Sequence, residues 1–372
     1  MADDALRNAF TDLVYLISCI LNCRTPESAR ISQIDLSELY QVSEKHLLSG
    51  IAAIGLEKAG IRDERFTQAL GKAVRKEALF DLEREAVLKA LDDAGILHIP
   101  LKGAVIKDLY PRIGMRQMSD NDILVDPERM KDVDQIMKSL GFKKGHESQT
   151  HVKYLKSPVL NFEMHRRLFD EKRCPEFGRY YQNITEKLLK NEADNAGYHF
   201  SDEDFYIYMT AHESKHYSNS GTGLRSLVDI YVYWKKKENT LDRVYIETEL
   251  VKMDLLEFEK QSRSLAFHLF NEETLTDQDY EMLKYIQNSG TYGTRKNMVD
   301  NQISRYGGGK KGKLRYILHR IFLPMDSIRN SYPIFLKIPI LLPFLPFYRA
   351  VLRLDSMKEE LKILKQRKNN HE

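Results

Sequence analysis

Ile99-Pro-Leu-Lys-Gly-Ala104 and, further along, Ser119-Asp-Asn-Asp-Ile-Leu-Val125 are the two pieces of sequence on which the fold turns. The first reads as the end of a short apolar strand, residues 96–101, followed by a Lys-Gly turn and a helix over 104–110 that Pro111 ends. The second opens a strand with two acidic residues. Side chains alternate along an extended chain, so Asp120 and Asp122 fall on one face and Asn121 on the other. Two carboxylates side by side repel unless a cation sits between them. Mg²⁺ takes one or two carboxylates and completes its shell with phosphate oxygens and water. The plain alternative is an acidic turn before a strand, because Ser, Asp and Asn also start turns.

A strand, a glycine turn and a helix N-terminus together make a phosphate site, since unpaired backbone N–H groups and the helix dipole face the anion. Lys102 adds a cation there. The run Gly-x-x-x-x-Gly-Lys-Ser/Thr is absent, so this is no Walker loop. Beyond the carboxylates, Asp126-Pro127 starts a helix that runs to Leu140 and stops at Gly141. Residues 152–155 and 159–165, joined by Ser157-Pro158, read as a hairpin. The order from Ile96 onward is β-α-β-α-β-β.

In the last of these strands Leu160, Phe162 and Met164 face one way, and Asn161, Glu163 and His165 the other. Two-metal phosphoryl chemistry clamps both the attacking and the leaving oxygen. A third carboxylate on a neighbouring strand would hold the metal that activates the acceptor hydroxyl. Glu163 is placed for that; its alternative is an exposed strand glutamate.

The flanks are helical. Apolar residues recur at helical spacing over 4–21, over 36–56 with Ser32 or Asp35 as cap, and over 64–94. Downstream of Glu171, helices are expected over 202–217, 223–234, 242–269 and 277–288. Residues 306–313, Tyr-Gly-Gly-Gly-Lys-Lys-Gly-Lys, read as a flexible basic loop: a solvated linker, with a nucleic-acid backbone as the other reading for 305–320. The apolar stretch 334–347 is too short for a span of ~20 residues and is broken by Pro339, Pro343 and Pro346. It is expected to dock on the protein's own helical domain, with a partner or a shallow membrane contact as alternatives. A charged helix should follow to Lys365.

The whole chain of 372 residues is 42% hydrophobic and 30% charged, with mean hydropathy −0.48 and net charge +3. That balance is ordinary for a globular protein with a sizeable core and too weakly basic to imply nucleic acid by itself. Cys19, Cys23 and Cys174 make no disulfide framework, and the first two read as buried apolar residues. The acidic start, Met-Ala-Asp-Asp, carries no export signal, which together with the cysteines suggests a reducing, cytoplasmic setting.

Leu101-Lys-Gly, Tyr110-Pro111, Arg116-x-x-Ser-Asp-x-Asp-Ile-Leu-Val125, Leu140-Gly-Phe and Glu163-Met-His165 together resemble the bacterial "uncharacterised nucleotidyltransferase" family of the DNA polymerase β-like superfamily. The resemblance covers residues 88–168 and extends through His212-x-x-x-His216, Arg225 and Asp229. It implies an α+β fold, with a mixed-sheet core and flanking helices between helical regions. The segments expected are 1–87 helical, 88–170 nucleotidyltransferase core, 171–300 helical, and 301–372 basic loop, apolar stretch and helix. By analogy Asp120, Asp122 and Glu163 bind two Mg²⁺ ions, with Mn²⁺ as a substitute. Lys102, Gly103, Arg116 and Ser119 would hold the phosphates of an NTP such as ATP, while Lys215, His216 and Arg225 face base or acceptor. The reaction implied is transfer of a nucleoside monophosphate with release of pyrophosphate. The acceptor, whether small molecule, protein or tRNA, is left open, as is the oligomeric state.

This sequence departs from the superfamily where Lys102-Gly103 stands for Gly-Ser or Gly-Gly, and where Asn121 separates the aspartates. Those departures motivate an alternative, a catalytically inactive binding module of the same fold. His212-Glu213-Ser-Lys-His216 also has the spacing of a zinc-peptidase helix. Against that reading, Lys215 places a charge inside the motif and no third ligand pattern follows.

Overall fold

A computed structural model describes residues 8–352, 358–360 and 362–364. Residues 4–7 of the first expected helix and much of the expected C-terminal helix lie outside them. The chain forms two compact units, residues 1–215 with 223–287, and residues 216–222 with 288–372.

The first unit opens with α1 (Ala9–Leu21), α2 (Ser28–Ile31), α3 (Leu36–Lys45), α4 (Ser49–Lys58) and α5 (Glu64–Asp93). Asn8, Asp35 and Asp63 cap α1, α3 and α5 by accepting backbone N–H groups of the first turns, which is why short polar residues stand there. The helix expected over 36–56 is two helices. Leu47 takes φ +53°, a left-handed conformation that an α-helix cannot contain. Cys19 is buried in α1, whereas Cys23 lies past the helix end, at φ +57° and exposed, which corrects its reading as a core residue.

Next come β1 (His98–Pro100), α6 (Gly103–Ile106), β2 (Asn121–Val125), α7 (Met130–Ser139), β3 (Lys143–Glu147), β4 (His151–Lys156) and β5 (Leu160–His165). The sheet order is β1-β2-β5-β4-β3. β2 and β5 are parallel, and the other neighbours are antiparallel. The expected mixed sheet with flanking helices is therefore present, with one strand more than the sequence suggested. β3 is Lys-Lys-Gly-His-Glu, exposed throughout, so it lacks the period-2 apolar signal by which a strand is recognised.

One face of the sheet is apolar. Ile123, Val125, Phe162 and Met164 bury there against Phe80, Val87 and Leu91 of α5 and Val133 and Met137 of α7. Asn121 belongs to this face: its side-chain amide donates to Phe80 O (3.4 Å) and its Oδ1 accepts from Arg84 (3.0 Å). Because side chains alternate, Asp122, Glu163 and His165 emerge on the opposite face.

After α8 (Pro175–Tyr180) and the β6 (Leu188–Lys190)/β7 (Tyr198–Phe200) ribbon, the chain is helical. The helices are α9 (Asp202–Tyr217), α10 (Leu224–Lys237), α11 (Arg243–Val251), α12 (Leu256–Phe270) and α13 (Asp277–Ser289). The helix expected over 242–269 breaks between α11 and α12, where Asp254 has φ +56°. α12 returns to α1: Ser18 Oγ and Asn22 Nδ2 both donate to Phe270 O, at 2.8 and 2.7 Å.

The second unit contains α14 (Arg295–Arg305), α15 (Gly309–Ile321), α16 (Met325–Ser331), α17 (Pro333–Lys337) and α18 (Leu345–Leu352). The basic stretch read as a flexible loop is largely the helix α15. Gly307, Gly308 and Gly309, all at positive φ, make the turn that leads into it. Gly312 then lets it close on α14, since a Cβ there would sit 2.5 Å from Ile303 O. In the 334–347 stretch Phe335 and Leu345 bury against Ile328 in a small local cluster, while Ile340 and Phe347 are exposed.

Candidate functional site

Asp122 and Glu163 are direct partners across the parallel β2–β5 pair, and Asp120 precedes β2 by one residue. The sheet therefore brings two of the three carboxylates together, with the third beside them. Burial, then the negative charges of Asp122 and Glu163, push the Asp120 carboxyl up to about 6, with Lys102 offsetting only part of this. Asp122 goes the other way. Burial alone would raise it, but Lys102 and His165 outweigh burial and hold it well below the usual carboxylate range. Lys102 Nζ lies 2.9 Å from Asp122 Oδ2, and His165 Nε2 lies 2.7 Å from Oδ1. The ammonium is correspondingly held in its charged form: its burial is outweighed by Asp122.

Lys102 is also the strained point of the backbone, at φ +44°, ψ −112°. Ala104 N donates to Leu101 O at 3.2 Å, closing a tight turn with Lys102 in the place that glycine normally takes. Two contacts hold it there, the Nζ–Asp122 pair and the Leu101 N–H donating to Asp122 O at 2.9 Å. A side chain at Gly103, next in the turn, would force Arg116 to shift against its pairing with Asp229, since a Cβ would come within 2.6 Å of Arg116 Nη1.

Arg116, expected on phosphate, is committed elsewhere. Its Nε and Nη2 both donate to Asp229 at 2.8 Å, and Tyr110 Oη donates to the same carboxylate at 2.6 Å. All three residues are buried, so this is an internal clamp between the segment after α6 and α10. Asp229 thus accepts from Arg116 and Tyr110. Arg225, one turn before Asp229, donates to Gln117 O at 2.8 Å, and its charge acts on Asp120. Ser119 O accepts from Lys76 Nζ at 3.1 Å. Lys215 lies over the Phe169 ring at 5.6 Å, and burial, then Lys102, lower its ammonium to about 8. His216, on the same helix, falls in the second unit.

His151 is the residue that the sequence did not point to, and His165 was placed without a role. His151 pairs with His165 across β4–β5, with ring centroids 5.1 Å apart. His151 Nε2 lies 3.6 Å from Glu163, while its Nδ1 faces the hydroxyls of Ser148 and Thr150 at 3.3 and 3.2 Å. His151, Glu163 and His165 hold ligand atoms within 4.8 Å of one another, and among the described residues no other His, Cys, Asp or Glu triad does so. Neither His212, Glu213 and His216 nor Asp120, Asp122 and Glu163 form such a group among the described residues, so Glu163 is the one expected metal carboxylate that the compact triad contains. The β5 alternation already put His165 beside Glu163; His151 needed the hairpin register, which no local pattern gives.

Whether the site suits divalent cations is decided by its donors. Asp120 and Glu163 fit: they are carboxylates held close to like charge, and the raised Asp120 carboxyl reports negative charge that a cation would relieve. Asp122 fits by type and position, with both oxygens engaged by Lys102 and His165.

The acidic cluster thus lies on the sheet face opposite the apolar core, beside a tight turn and within reach of the charges of Lys102 and Arg225. A family model described as "Uncharacterised nucleotidyltransferase" matches residues 32–271, and the chain belongs to that family. No curated protein and no solved structure matches the chain.

Proposed function

We propose that the protein is a Mg²⁺-dependent nucleotidyltransferase that moves a nucleoside monophosphate from an NTP to an acceptor and releases pyrophosphate. The observation that carries this is the β2–β5 register, which aligns Asp122 with Glu163, with Asp120 one residue before β2 and feeling the charge of both. Asp120, Asp122 and Glu163 would hold the metal ions, which when bound neutralise the triphosphate and lower the pKa of the acceptor hydroxyl. Lys102, Lys215 and Arg225 supply positive charge around the carboxylates, and Lys215, lowered to about 8, is the cation most readily tuned near neutral pH. His165 fixes the Asp122 carboxylate, and Ser148 and Thr150 orient His151 towards Glu163. Gly103 and Arg116 act on the phosphate turn through packing, so their role is positioning.

The test is incubation with each labelled NTP, Mg²⁺ or Mn²⁺ and a panel of small-molecule, protein and tRNA acceptors. Asp120→Asn and Glu163→Gln should each cut transfer by roughly a thousandfold. Transfer equal to wild type in both variants would remove the carboxylates from the reaction. The engagement of both Asp122 oxygens favours a second reading, a nucleotide-binding module without chemistry. Calorimetry separates the two, because NTP binding indifferent to Mg²⁺, with no transfer product, fits only the module.

A further inference from the structure

The second unit displays apolar side chains where a water-facing surface should be polar. Of the 23 large hydrophobic residues exposed among the described residues, 13 lie between Leu314 and Leu352. On α15, Leu314, Leu318 and Ile321 recur at helical spacing on the solvent side, while Gly312 and Tyr316 face inward. Projected at 3.6 residues per turn, Lys310 borders this stripe on one side and Lys311 and Arg315 on the other. Further on, Ile340 (78% exposed), Phe344, Phe347 (72%) and Val351 stand out from the α17–α18 region. Arg349 ties α18 to α15 by donating to Arg320 O at 2.8 Å.

Charge says what covers this surface. Residues 305–352 hold nine Lys and Arg against one acid, Asp326, a net +8; the rest of the chain is therefore at −5. Apolar stripes bordered by lysine and arginine, on helices far too short to cross a bilayer, are the pattern of segments that lie in a membrane interface. A second copy of this surface would bring like charges together. A nucleic-acid backbone would leave the exposed aliphatic and aromatic groups in water.

From these we propose that the α15–α18 segment binds the surface of an anionic lipid bilayer, inserting its exposed apolar side chains at the headgroup boundary while the exposed Lys310, Lys311, Arg315 and Lys337 meet lipid phosphates. The inference stands independently of the transfer reaction.

Flotation of the full chain with vesicles of phosphatidylcholine alone, or with roughly 30% phosphatidylglycerol, tests it. The protein should float with the anionic vesicles and stay down with the neutral ones, and about 0.5 M NaCl should weaken binding. I340S/F347S and K310E/K311E should each lower partitioning by about tenfold, with circular dichroism and thermal midpoint unchanged because all four side chains are exposed. Absence of flotation with anionic vesicles, or variants that float like wild type, overturns the proposal. So does a wild-type dimer in light scattering that I340S/F347S dissolves, because the surface would then belong to a second copy.

Discussion

At the scale of single residues, Asp120, just before β2, and Asp122 within it should answer oppositely to the loss of charge. Asp120 is ionised at pH 7 against burial and against Asp122, with a folded pKa near 6. Its cost is therefore fully present above that pH. Asp120→Asn should stabilise the protein by roughly 1–3 kcal/mol at pH 7. Asp122→Asn leaves the Lys102 ammonium without its carboxylate and should destabilise by roughly 3 kcal/mol. Urea unfolding of both variants measures the contrast, and equal shifts would refute the division of roles.

His46 makes a pH prediction away from the site. Buried beside Phe10 and accepting from Leu224 N at 3.0 Å, it is lowered to about 4 by burial, then by Lys45. A histidine depressed in the folded state binds its proton only on unfolding, so its contribution is full above about 6.5 and is lost as pH falls towards about 4. The loss should approach 3 kcal/mol. His46→Gln should flatten the stability difference between pH 7.5 and pH 5 relative to wild type; unchanged pH dependence would count against it.

At the scale of elements, the turn between β1 and α6 stores strain that its neighbours hold in place. Lys102→Gly and Lys102→Ala both delete the ion pair to Asp122, so their difference isolates the backbone. A non-glycine residue at φ +44°, ψ −112° costs roughly 1–3 kcal/mol, while glycine loses about 0.4–1 kcal/mol through its freer unfolded chain. Strain wins, and the glycine variant should be more stable than the alanine variant by about 1 kcal/mol in urea melts. The same turn limits what sequence reading could see. Lys-Gly was legible as a departure from Gly-Ser or Gly-Gly, but not that its lysine reaches Asp122 or that Gly103 lies under Arg116. Those facts depend on where residue 116 returns, and the clamp from Arg116 to Asp229 spans 113 residues of chain.

At the scale of the whole molecule, divalent cations should act as ligands of the folded state. With an affinity of roughly 1 mM, about 10 mM Mg²⁺ would add about 1.4 kcal/mol and raise the thermal midpoint by about 3 °C. Glu163→Gln should abolish the difference between Mg²⁺ and EDTA. A wild-type midpoint indifferent to Mg²⁺ would argue for the binding module. Among the described residues no helix is long and apolar enough to cross a membrane, so contact with a bilayer through the second unit would be interfacial.

Local patterns in the sequence determined the helix cap at Asp35, the period-2 faces of β2 and β5, and the placing of Asp122 and Glu163 on the face opposite the apolar core. Each of these follows from side-chain direction over a few residues. Tertiary structure alone decided that β2 and β5 lie side by side and parallel, which makes Asp122 and Glu163 neighbours. It also decided that His151 and His165 meet, that Arg116 is spent on Asp229, and that the Gly-Lys stretch before Arg320 becomes a helix. These depend on long-range register and burial, where the partner of each group is set by packing and not by its neighbours in the chain.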